Sequence, residues 1–571
     1  MHTRRAAQRI IEFYPAKELI VISKPNTEKV LKVDSQSLQP QETTKQALSF
    51  DMNSFNIRFT VDAIYGIVKL IHDSFFIVVE KSENIAEILD RPIYTVKRFK
   101  FIPIKANLSN RYNSNSDDGI SKQDSKFIEI FQSVFEKGGF YFSHEYDLTN
   151  SMQRLVKAGF DDMKIDPRFF INSCFLKTFL HAHINFLGFI SPFIYGFIDQ
   201  KNGLLRDKGK NLSFTLISRK DINRLGVRFY SRGANFDGNV SNFVETEQIL
   251  NFSKGFDKEG GSELDNKIFS LVQIRGSIPL IWNQQPILTY NPPLNIHRDN
   301  QKHEKTYRLH FQKMTELYNK IQIVNLIDKK KSQYKIGSKF ASMHQKVCEE
   351  NNEQYRESVD FVWFDYHHEC RKMKVENLSK LLAQIETSLK QNKWFECKYA
   401  KTFVNSKEEL GESIYEFSVL REQTGVVRTN CMDNLDRTNV VQSVFARNNI
   451  LTILNQYKLS SFSSNPFQAL PCDFESNFRH VWTDNADRLS ILYSGTPALK
   501  TDFTRTGKRG YVGMFWDGYH SVKRYLINQI IHSEYQNSLD FVTGNLKPKQ
   551  NMNYSPGNGK LIRRGFSEEL S

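Results

Sequence analysis

A cysteine, two aspartates and an arginine cluster in the segment Thr424–Asn439, whose sequence is TGVVRTNCMDNLDRTN. Cys431 and Arg437 are separated by five residues, and Thr438 follows directly. Five residues are enough to wrap a loop around one tetrahedral anion, with backbone N–H groups pointing inward and an arginine closing the ring. The pattern therefore predicts a phosphate-binding loop with a thiol at its base.

The residues around this loop predict the order strand, loop, helix. Val426 and Val427 are typical of the end of a buried strand. Apolar residues after the loop recur at helical spacing, namely Val440, Val441, Val444, Phe445, Leu451 and Leu454. We expect Thr438 or Asn439 near the helix start, so that the positive end of the helix dipole faces both the bound phosphate and the sulfur.

This arrangement favours a nucleophilic thiolate. Thiols beside helix N-termini and guanidinium groups ionise more readily than free thiols. A thiolate at Cys431 would attack phosphorus in line with the leaving oxygen, while Arg437 and the loop amides stabilise charge on the other oxygens. The predicted product of this step is a covalent phosphocysteine.

The leaving oxygen of a sugar alcohol needs a proton, and a carboxylic acid is the expected donor. Asp433 and Asp436 are both candidates because they lie inside the loop. Clustered negative charge raises the pKa of a carboxyl group, whereas Arg437 lowers it. The sequence leaves both aspartates open for this role.

The composition of the chain limits the class of protein, the kind of partner and the compartment in which this chemistry is expected. The chain has 571 residues, with 40% hydrophobic and 25% charged residues, which excludes collagen-like, coiled-coil and wholly disordered proteins. A net charge of +15 favours an anionic partner. The six cysteines include no CxxC pair, which argues against a disulfide framework or a thiolate zinc site and favours a reducing compartment. No cofactor is expected. Metal binding by His367, His368 and Cys370 is not expected, because adjacent histidines on an extended segment point to opposite faces.

No membrane-spanning segment is predicted. The most apolar stretch, Ile184–Ile198, has 15 residues and contains Asn185, Ser191 and Pro192, whereas a spanning helix needs about 20 residues. We interpret it as buried core. The N-terminal segment lacks the apolar run of a secretory signal, so any membrane contact is expected to be peripheral.

The pattern of apolar and polar residues changes along the chain and predicts an α/β protein of two domains. Residues 57–104 alternate apolar and polar side chains, with a turn at His72-Asp73-Ser74, which indicates a β-rich N-terminal domain over residues 1–182. Residues 105–125 are polar and predict a flexible insertion. Helices and strands alternate later, as where Tyr307, Phe311, Met314, Leu317, Tyr318 and Ile321 fall at helical spacing, so residues 183–545 are predicted to form the catalytic domain. Residues 546–571 are predicted to form a polar, disordered tail.

Several basic residues lie outside the loop. Four follow Ala498 and are predicted to bind substrate phosphate or an anionic bilayer, namely Lys500, Arg505, Lys508 and Arg509. The run Lys329–Lys331 is expected to be only a solvated face. Arg232 is interpreted as an arginine that lines a groove. Arg275 is a candidate for substrate contact. The alternative is that Gly276, which follows it, only marks a place where the backbone approaches another segment closely. No nucleic-acid-binding motif is present.

The sequence resembles the Sac-domain phosphoinositide phosphatases, in particular the branch that acts on phosphatidylinositol monophosphates at the 4-position. The resemblance rests on the loop and on further blocks in family order, among them FYFSHEYDLTNSMQR (140–154), RFYSRGANFDGNVSNFVETEQI (228–249), SLVQIRGSIPLIWNQ (270–284), WFDYHHECRKMKVENL (363–378) and SGTPALKTDFTRTGKRGYVG (494–513). It implies an N-terminal Sac domain packed on a catalytic domain with a mixed sheet flanked by helices, and no metal.

Carried over by position, the resemblance implies a role for each loop residue. Cys431 would be the nucleophile, Arg437 the phosphate clamp, and Asp433 with Asp436 the acidic residues needed for activity. The other loop residues, Met432, Asn434, Leu435 and Thr438, would contact substrate. The sequence departs from the family where Asn434 replaces a second cysteine, and where the chain continues as a polar tail instead of two membrane-spanning helices.

These observations predict hydrolysis of phosphatidylinositol 4-phosphate to phosphatidylinositol, with the 3-phosphate as a secondary target. The alternatives are a 3-phosphatase, a 5-phosphatase acting on phosphatidylinositol 3,5-bisphosphate, and a non-catalytic phosphoinositide-binding scaffold. The predicted partner is a phosphoinositide in an anionic membrane, with a separate protein as membrane anchor, and the predicted location is peripheral on endomembranes of the endoplasmic reticulum, Golgi or endosomes. The oligomeric state is left open.

Overall fold

The structure is a computed structural model, and it describes residues 8–14, 17–25, 27–48, 55, 57–104, 120–160, 163–182, 186–254, 263–284, 292–350, 353–371, 374–404, 412–459, 467–499 and 532–547. The described residues fall into two compact units. The first is drawn from Met1–Asn150, Asp161–Tyr195 and Glu534–Asn558, and the second from Ser151–Phe160, Gly196–Ser533 and Gly559–Ser571. The domain limits given from the sequence stay a prediction.

The first unit contains a five-stranded antiparallel sheet in the order β4-β3-β2-β1-β5. Its strands are β1 (Arg9–Tyr14), β2 (Leu19–Ser23), β3 (Lys29–Asp34), β4 (Pro40–Thr44) and β5 (Ile57–Val61). Ile11 of β1 lies opposite Ile22 of β2, and both belong to the same buried apolar cluster as Leu31 and Val33. Because successive side chains of a strand point to opposite faces, Ile11, Ile22, Leu31 and Val33 share one face of this sheet, which forms part of that cluster.

A second antiparallel sheet in the first unit is built on two long strands. Its strands are β6 (Ala63–Lys69), β7 (Ser74–Ile88), β8 (Arg91–Pro103) and β9 (Phe140–Phe142), and β9 also pairs with the first residues of β10 (Phe193–Leu204). The turn expected at His72-Asp73 is confirmed, since it joins β6 to β7. The carboxylate of Asp124 accepts hydrogen bonds from backbone N–H groups of this turn, including those of Ile71 and Asp73.

The second unit contains a mixed sheet in the order β17-β16-β20-β13-β12-β11-β10. Its strands after β10 are β11 (Asn211–Lys220), β12 (Val244–Ser253), β13 (Lys267–Arg275), β16 (Lys320–Asn325), β17 (Val359–Trp363) and β20 (Gly425–Asn430). The hairpin of β18 (Phe395–Val404) and β19 (Glu412–Arg421) pairs with one end of β13, and β14 (Trp282–Asn283) pairs with β15 (Asn295–Ile296). Strands β16, β17 and β20 are parallel. An α/β fold with a mixed sheet and a separate β-rich sheet is thereby confirmed.

The described helices are α1 (Lys122–Phe135), α2 (Met152–Ala158), α3 (Lys177–His181), α4 (Asn300–Tyr318), α5 (Lys331–Glu349), α6 (Glu353–Ser358), α7 (Tyr366–Glu369), α8 (Leu378–Gln384), α9 (Glu386–Asn392), α10 (Asp436–Gln456), α11 (Cys472–Ser494) and α12 (His532–Val542). Helices α5 and α6 form the crossover between the parallel strands β16 and β17. The helical pattern before β16 is confirmed by α4, although Ile321 belongs to the strand and Leu317 is exposed.

Two predictions about local segments are tested in part. Residues 105–119 of the predicted insertion lie outside the described residues, but its last residues were wrongly assigned, because Ser121 caps α1 by accepting a hydrogen bond from the N–H of Asp124. The apolar stretch is confirmed as core from Phe189 onward, where residues such as Ile190 and Phe193 are fully buried. Within the described residues, no helix combines the length and the apolar character needed to cross a membrane.

Candidate active site

Cys431 directly follows β20, at the carboxyl edge of the three parallel strands. Strand β20 lies inside the sheet, between β16 and β13. Open α/β sheets bind ligands at the carboxyl ends of such strands. The residue is only 3% exposed and shares an apolar cluster with Val427 and Phe445. Cys431 therefore lies at the base of the loop that joins β20 to α10.

The loop is closed on itself by Asn434. The side-chain oxygen of Asn434 accepts a hydrogen bond of 3.0 Å from the backbone N–H of Cys431. Asn434 has a φ of 54°, a left-handed conformation that asparagine adopts more readily than most residues. The residue that departs from the family pattern is thus the one that completes a tight turn around the cysteine.

Three polar side chains from neighbouring strands and loops hold the carbonyl groups of the loop. Arg232 donates to the carbonyl oxygen of Met432 at 2.6 Å, and Asn242 donates to that of Asp433 at 3.0 Å. Arg275 donates to the carbonyl oxygen of Asn434 at 3.5 Å. Because C=O and N–H point in opposite directions across a trans peptide, the N–H groups that follow these carbonyls point away from the three donors.

No described residue accepts a hydrogen bond from those N–H groups. Within the described part of the chain, the N–H groups from Met432 to Leu435 donate no hydrogen bond, and no side chain caps the first turn of α10. The hydroxyl of Thr438 and the Nε atoms of Arg232 and Arg275 are also buried without a described partner. Buried donors of this kind are costly unless an acceptor reaches them. The loop thus presents a set of unpaired donors suited to an anion.

Asp433 is paired with two arginines. Its carboxylate lies 2.8 Å from Nη2 of Arg228 and 2.5 Å from Nη2 of Arg232. Burial by itself would raise the pKa of this carboxyl group, but the charges and hydrogen bonds of Arg228 and Arg232 outweigh it and hold the pKa far below the usual range. Asp433 is therefore ionised at neutral pH.

Arg437 is engaged by the segment that follows β16. Its Nη1 donates to the carbonyl oxygen of Leu326 and to the carboxylate of Asp328, both at 3.1 Å. The same carboxylate contacts His367. Burial opposes ionisation of Asp328, but the His367 hydrogen bond and the Arg437 charge lower its pKa on balance. In this state the loop arginine is held by the protein's own carboxylate.

Asp436 occupies the first position of α10, next to the unpaired N–H groups. Its carboxylate accepts a hydrogen bond of 3.0 Å from the backbone N–H of Leu499. Asp433, in contrast, is paired with both Arg228 and Arg232. The two aspartates of the loop therefore differ in their surroundings.

Comparison with known proteins identifies the family. A family model described as SacI homology domain matches residues 62–371. An uncharacterized protein of Schizosaccharomyces pombe is 33% identical over 501 residues, which cover 86% of this chain and 76% of that protein. Phosphatidylinositol-3-phosphatase SAC1-A of Danio rerio is 32% identical, with 89% of this chain and 80% of the relative covered. Phosphatidylinositol-3-phosphatase SAC1 of Saccharomyces cerevisiae is 33% identical, with 86% and 73% covered.

The chain belongs to the Sac-domain phosphoinositide phosphatase family. The resemblance seen in the sequence is thereby confirmed, and the protein is a phosphoinositide phosphatase. The role of each site residue in this Sac-domain phosphatase stays a prediction. The structure brings together Cys431, Asp433, Arg437 and the loop residues between them. The basic residues Lys500, Arg505, Lys508 and Arg509 lie outside the described residues.

The motif DYHHEC of this Sac-domain phosphatase lies at the end of β17. Its histidines are in the short helix α7 and not in an extended segment, because Asp365 caps that helix by accepting a hydrogen bond from the N–H of His368. In the described ranges, no three histidine, cysteine or carboxylate side chains are grouped as metal ligands would be. The motif instead reaches the loop through the chain of contacts from His367 to Asp328 to Arg437.

Sequence reasoning missed the partners of Asp433. Arg232 was expected only to line a groove, and Arg228 was not singled out. A single sequence does not indicate that a carboxylate in the loop forms ion pairs with arginines far away along the chain. The one available hint was the unusual density of arginines in the segment RFYSRG, residues 228–233.

Proposed function

We propose that this Sac-domain phosphatase hydrolyses phosphatidylinositol 4-phosphate to phosphatidylinositol through a phosphocysteine on Cys431, with the 3-phosphate as a secondary target. The proposal rests on one observation. Four successive loop N–H groups have no described acceptor and adjoin both a thiol and an uncapped helix start. Such donors are suited to the non-bridging oxygens of a phosphoryl group.

In the first step, the Cys431 sulfur forms a bond to phosphorus as the bond between phosphorus and the inositol oxygen breaks. The loop N–H groups stabilise the charge that spreads over the non-bridging oxygens. Arg437 is proposed to join them after leaving Asp328. The departing inositol oxygen takes a proton from a carboxylic acid, and water then attacks the phosphocysteine to release inorganic phosphate and regenerate the thiolate.

Asp436 is the better candidate for the proton donor. A general acid must carry a proton at working pH, but two arginines keep Asp433 ionised. Asp436 lies at the first residue of α10, and its carboxylate accepts a hydrogen bond from the backbone N–H of Leu499. We therefore assign Asp433 to holding the loop through Arg228 and Arg232.

The ring position has two candidates. The 4-phosphate is supported by the resemblance of the sequence blocks to the 4-phosphatase branch. The 3-phosphate is favoured by the names of the Danio rerio and Saccharomyces cerevisiae relatives, which are phosphatidylinositol-3-phosphatases. Residence on endomembranes, and a separate protein as membrane anchor, are part of the same proposal.

The test is phosphate release from a panel of short-chain phosphoinositides by the wild-type protein and by Cys431→Ser. Release from the 4-phosphate at the highest kcat/KM, slower release from the 3-phosphate and none from Cys431→Ser would support the proposal. Equal release by both proteins would exclude Cys431 as the nucleophile. Binding without any release would favour the phosphoinositide-binding scaffold.

A further inference from the structure

Two basic sequence features outside the catalytic loop lie together in the structure. Lys329–Lys331 follow β16, and His367 with His368 follow β17. The two strands are parallel neighbours, with Asn325 of β16 opposite Trp363 of β17, so their carboxyl ends meet at one edge. The N–H of Lys329 donates to the Asp365 carboxylate at 2.9 Å, which joins the two segments. We call this surface the β16–β17 edge.

The β16–β17 edge has an excess of positive charge. It is shaped as two adjoining depressions of about 390 Å³ and 430 Å³ that share Lys330, Asp365 and His368. The cations that line them are Lys329, Lys330, Lys331, Lys380 and Arg371, and the carboxylates are Asp328, Asp365 and Glu369.

Each of the three carboxylates already has partners. Asp328 contacts Arg437 and His367, and Asp365 caps α7. Glu369 contacts His368 and Lys380. Lys330, Lys331 and Arg371 form no ion pair with any residue in the part of the chain that the structure describes. Their charge is therefore available to an external anion.

Aromatic side chains lie beside these cations. Tyr334 is 51% exposed and stacks on Trp363 at a centroid distance of 5.9 Å. The Lys329 ammonium lies 5.4 Å from the centre of the Trp363 ring. Tyrosine and tryptophan with neighbouring lysines are typical of surfaces that lie at the headgroup level of a bilayer, where the rings meet the apolar boundary and the lysines meet lipid phosphates.

The edge also adjoins the catalytic loop. Asp328, which lines one depression, is the residue that holds Arg437, and Gln333 contacts both segments. A membrane that touches this edge would therefore lie next to the loop that contains Cys431. A phosphatase that acts on a lipid headgroup needs its binding surface in that position.

We propose that the β16–β17 edge docks this protein on the anionic headgroups of a lipid bilayer. The proposal rests on the proposed function insofar as it takes the substrate to be a membrane lipid. It replaces the expectation that Lys329–Lys331 form only a solvated face. The lysines bind lipid phosphates and carboxylates, and Tyr334 contributes contact at the interface.

The test is flotation of the full-length protein with vesicles that contain phosphatidylcholine and phosphatidylserine but no phosphoinositide. The variant Lys329→Gln/Lys330→Gln/Lys331→Gln removes three charges from the edge. A matched variant, Lys208→Gln/Lys305→Gln/Lys398→Gln, removes three exposed charges elsewhere in the same unit. We expect the edge variant to lower the partition coefficient roughly 10- to 100-fold and the matched variant to change it less than about twofold. Wild-type binding should weaken between about 0.1 and 0.5 M salt.

Three outcomes would overturn the proposal: no wild-type binding to these vesicles, equal losses in the two triple variants, or equal binding to vesicles of phosphatidylcholine alone. The separate variant Tyr334→Ser should weaken binding severalfold without changing the salt dependence. Hydrolysis of a short-chain soluble substrate by the edge variant, expected within about twofold of wild type, keeps the two proposals distinguishable. Vesicle binding without any soluble activity would contradict the proposed function and leave docking supported.

Discussion

The carboxylate of Asp433 lies 2.5 Å from the guanidinium of Arg232, which comes from a different part of the second unit. The same guanidinium donates to the carbonyl oxygen of Met432 at 2.6 Å. Arg232 is almost fully buried, so its charge has few other means of compensation. Arg232 therefore both stabilises the ionised carboxylate of Asp433 and holds the loop backbone at the carbonyl group of Met432.

Replacing Arg232 should impair catalysis more than replacing Arg228. Arg232→Gln removes the ion pair and weakens the hold on Met432, which lets the loop N–H groups turn away from the phosphoryl oxygens. We expect a loss in kcat/KM of roughly 100-fold, in the range seen when a preorganised donor is lost. Arg228→Gln leaves the Arg232 contacts and should cost roughly tenfold. Steady-state kinetics on a short-chain substrate would measure both, and equal activity of Arg232→Gln and wild type would contradict the account.

Asp328→Asn should make Arg437 more available to the loop. The amide cannot form the ion pair that now holds the guanidinium, and a partly exposed pair of this kind contributes on the order of 1 kcal/mol. We therefore expect kcat/KM to rise roughly twofold to fivefold. His367→Gln serves as the control, because it leaves the Asp328 carboxylate in place and should not raise activity. A fall in activity with Asp328→Asn would show that Asp328 supports the working position of Arg437.

Asn434 makes two separable contributions to the loop. Asn434→Gly keeps a residue that tolerates the φ of 54° but loses the hydrogen bond to Cys431, at a cost of about 1 kcal/mol in the free energy of unfolding. Asn434→Ala loses the hydrogen bond and also strains the left-handed backbone, which adds about 1 kcal/mol. Urea unfolding of both variants would measure the difference. Equal stability of the two variants would mean that the left-handed conformation is not maintained.

Glu475 links α10 to α11 and gives a prediction about pH. Its carboxylate contacts Arg447 of α10 at 2.5 Å. Burial raises its pKa, but Arg447 and its other hydrogen-bond donors prevail and lower the pKa to about 2. Because the folded pKa lies below the unfolded value, the stabilisation is present above about pH 4.5 and is lost as the pH falls towards 2.

Glu475→Gln should accordingly lower the free energy of unfolding by about 2–3 kcal/mol at pH 7. The difference from wild type should shrink steadily between pH 4.5 and 2, and urea titrations at several pH values would follow it. Asp473→Asn on the same helix, whose carboxylate has no ion pair with a described residue, is the control and should change stability little at any pH. A pH-independent effect of Glu475→Gln would exclude the ion pair as its cause.

The local order of the catalytic segment could be predicted from the sequence because short-range patterns determine it. The valines before Cys431 form β20, and the apolar spacing after it forms α10, which begins at Asp436. The parallel pairing of β16 with β20 was not derivable, since it depends on contacts between residues about one hundred positions apart. From the sequence alone, Asp433 and Asp436 are equal candidates for the proton donor.

What distinguished the aspartates was their tertiary surroundings. Arg228 and Arg232 lie about two hundred residues before Asp433, and no periodicity connects them. The same holds for Asp328, which engages Arg437 through the fold of the sheet. The meeting of Lys329–Lys331 with His367 at one sheet edge also required the strand register. The spacing of the motif indicated the chemistry, whereas the ion-pair partners of the loop residues could be identified only from the three-dimensional structure.

In the proposed mechanism, the Cys431 sulfur becomes covalently bound to phosphorus. The most direct measurement is rapid quenching of the wild-type protein in alkaline denaturant during turnover of a short-chain phosphatidylinositol phosphate, followed by mass spectrometry of the peptide that contains Cys431. One phosphate is predicted on that cysteine in the wild-type protein, and no phosphate on the same peptide of the Cys431→Ser variant. Phosphate release by the wild-type protein with no modification at Cys431 under any quench condition would contradict this mechanism.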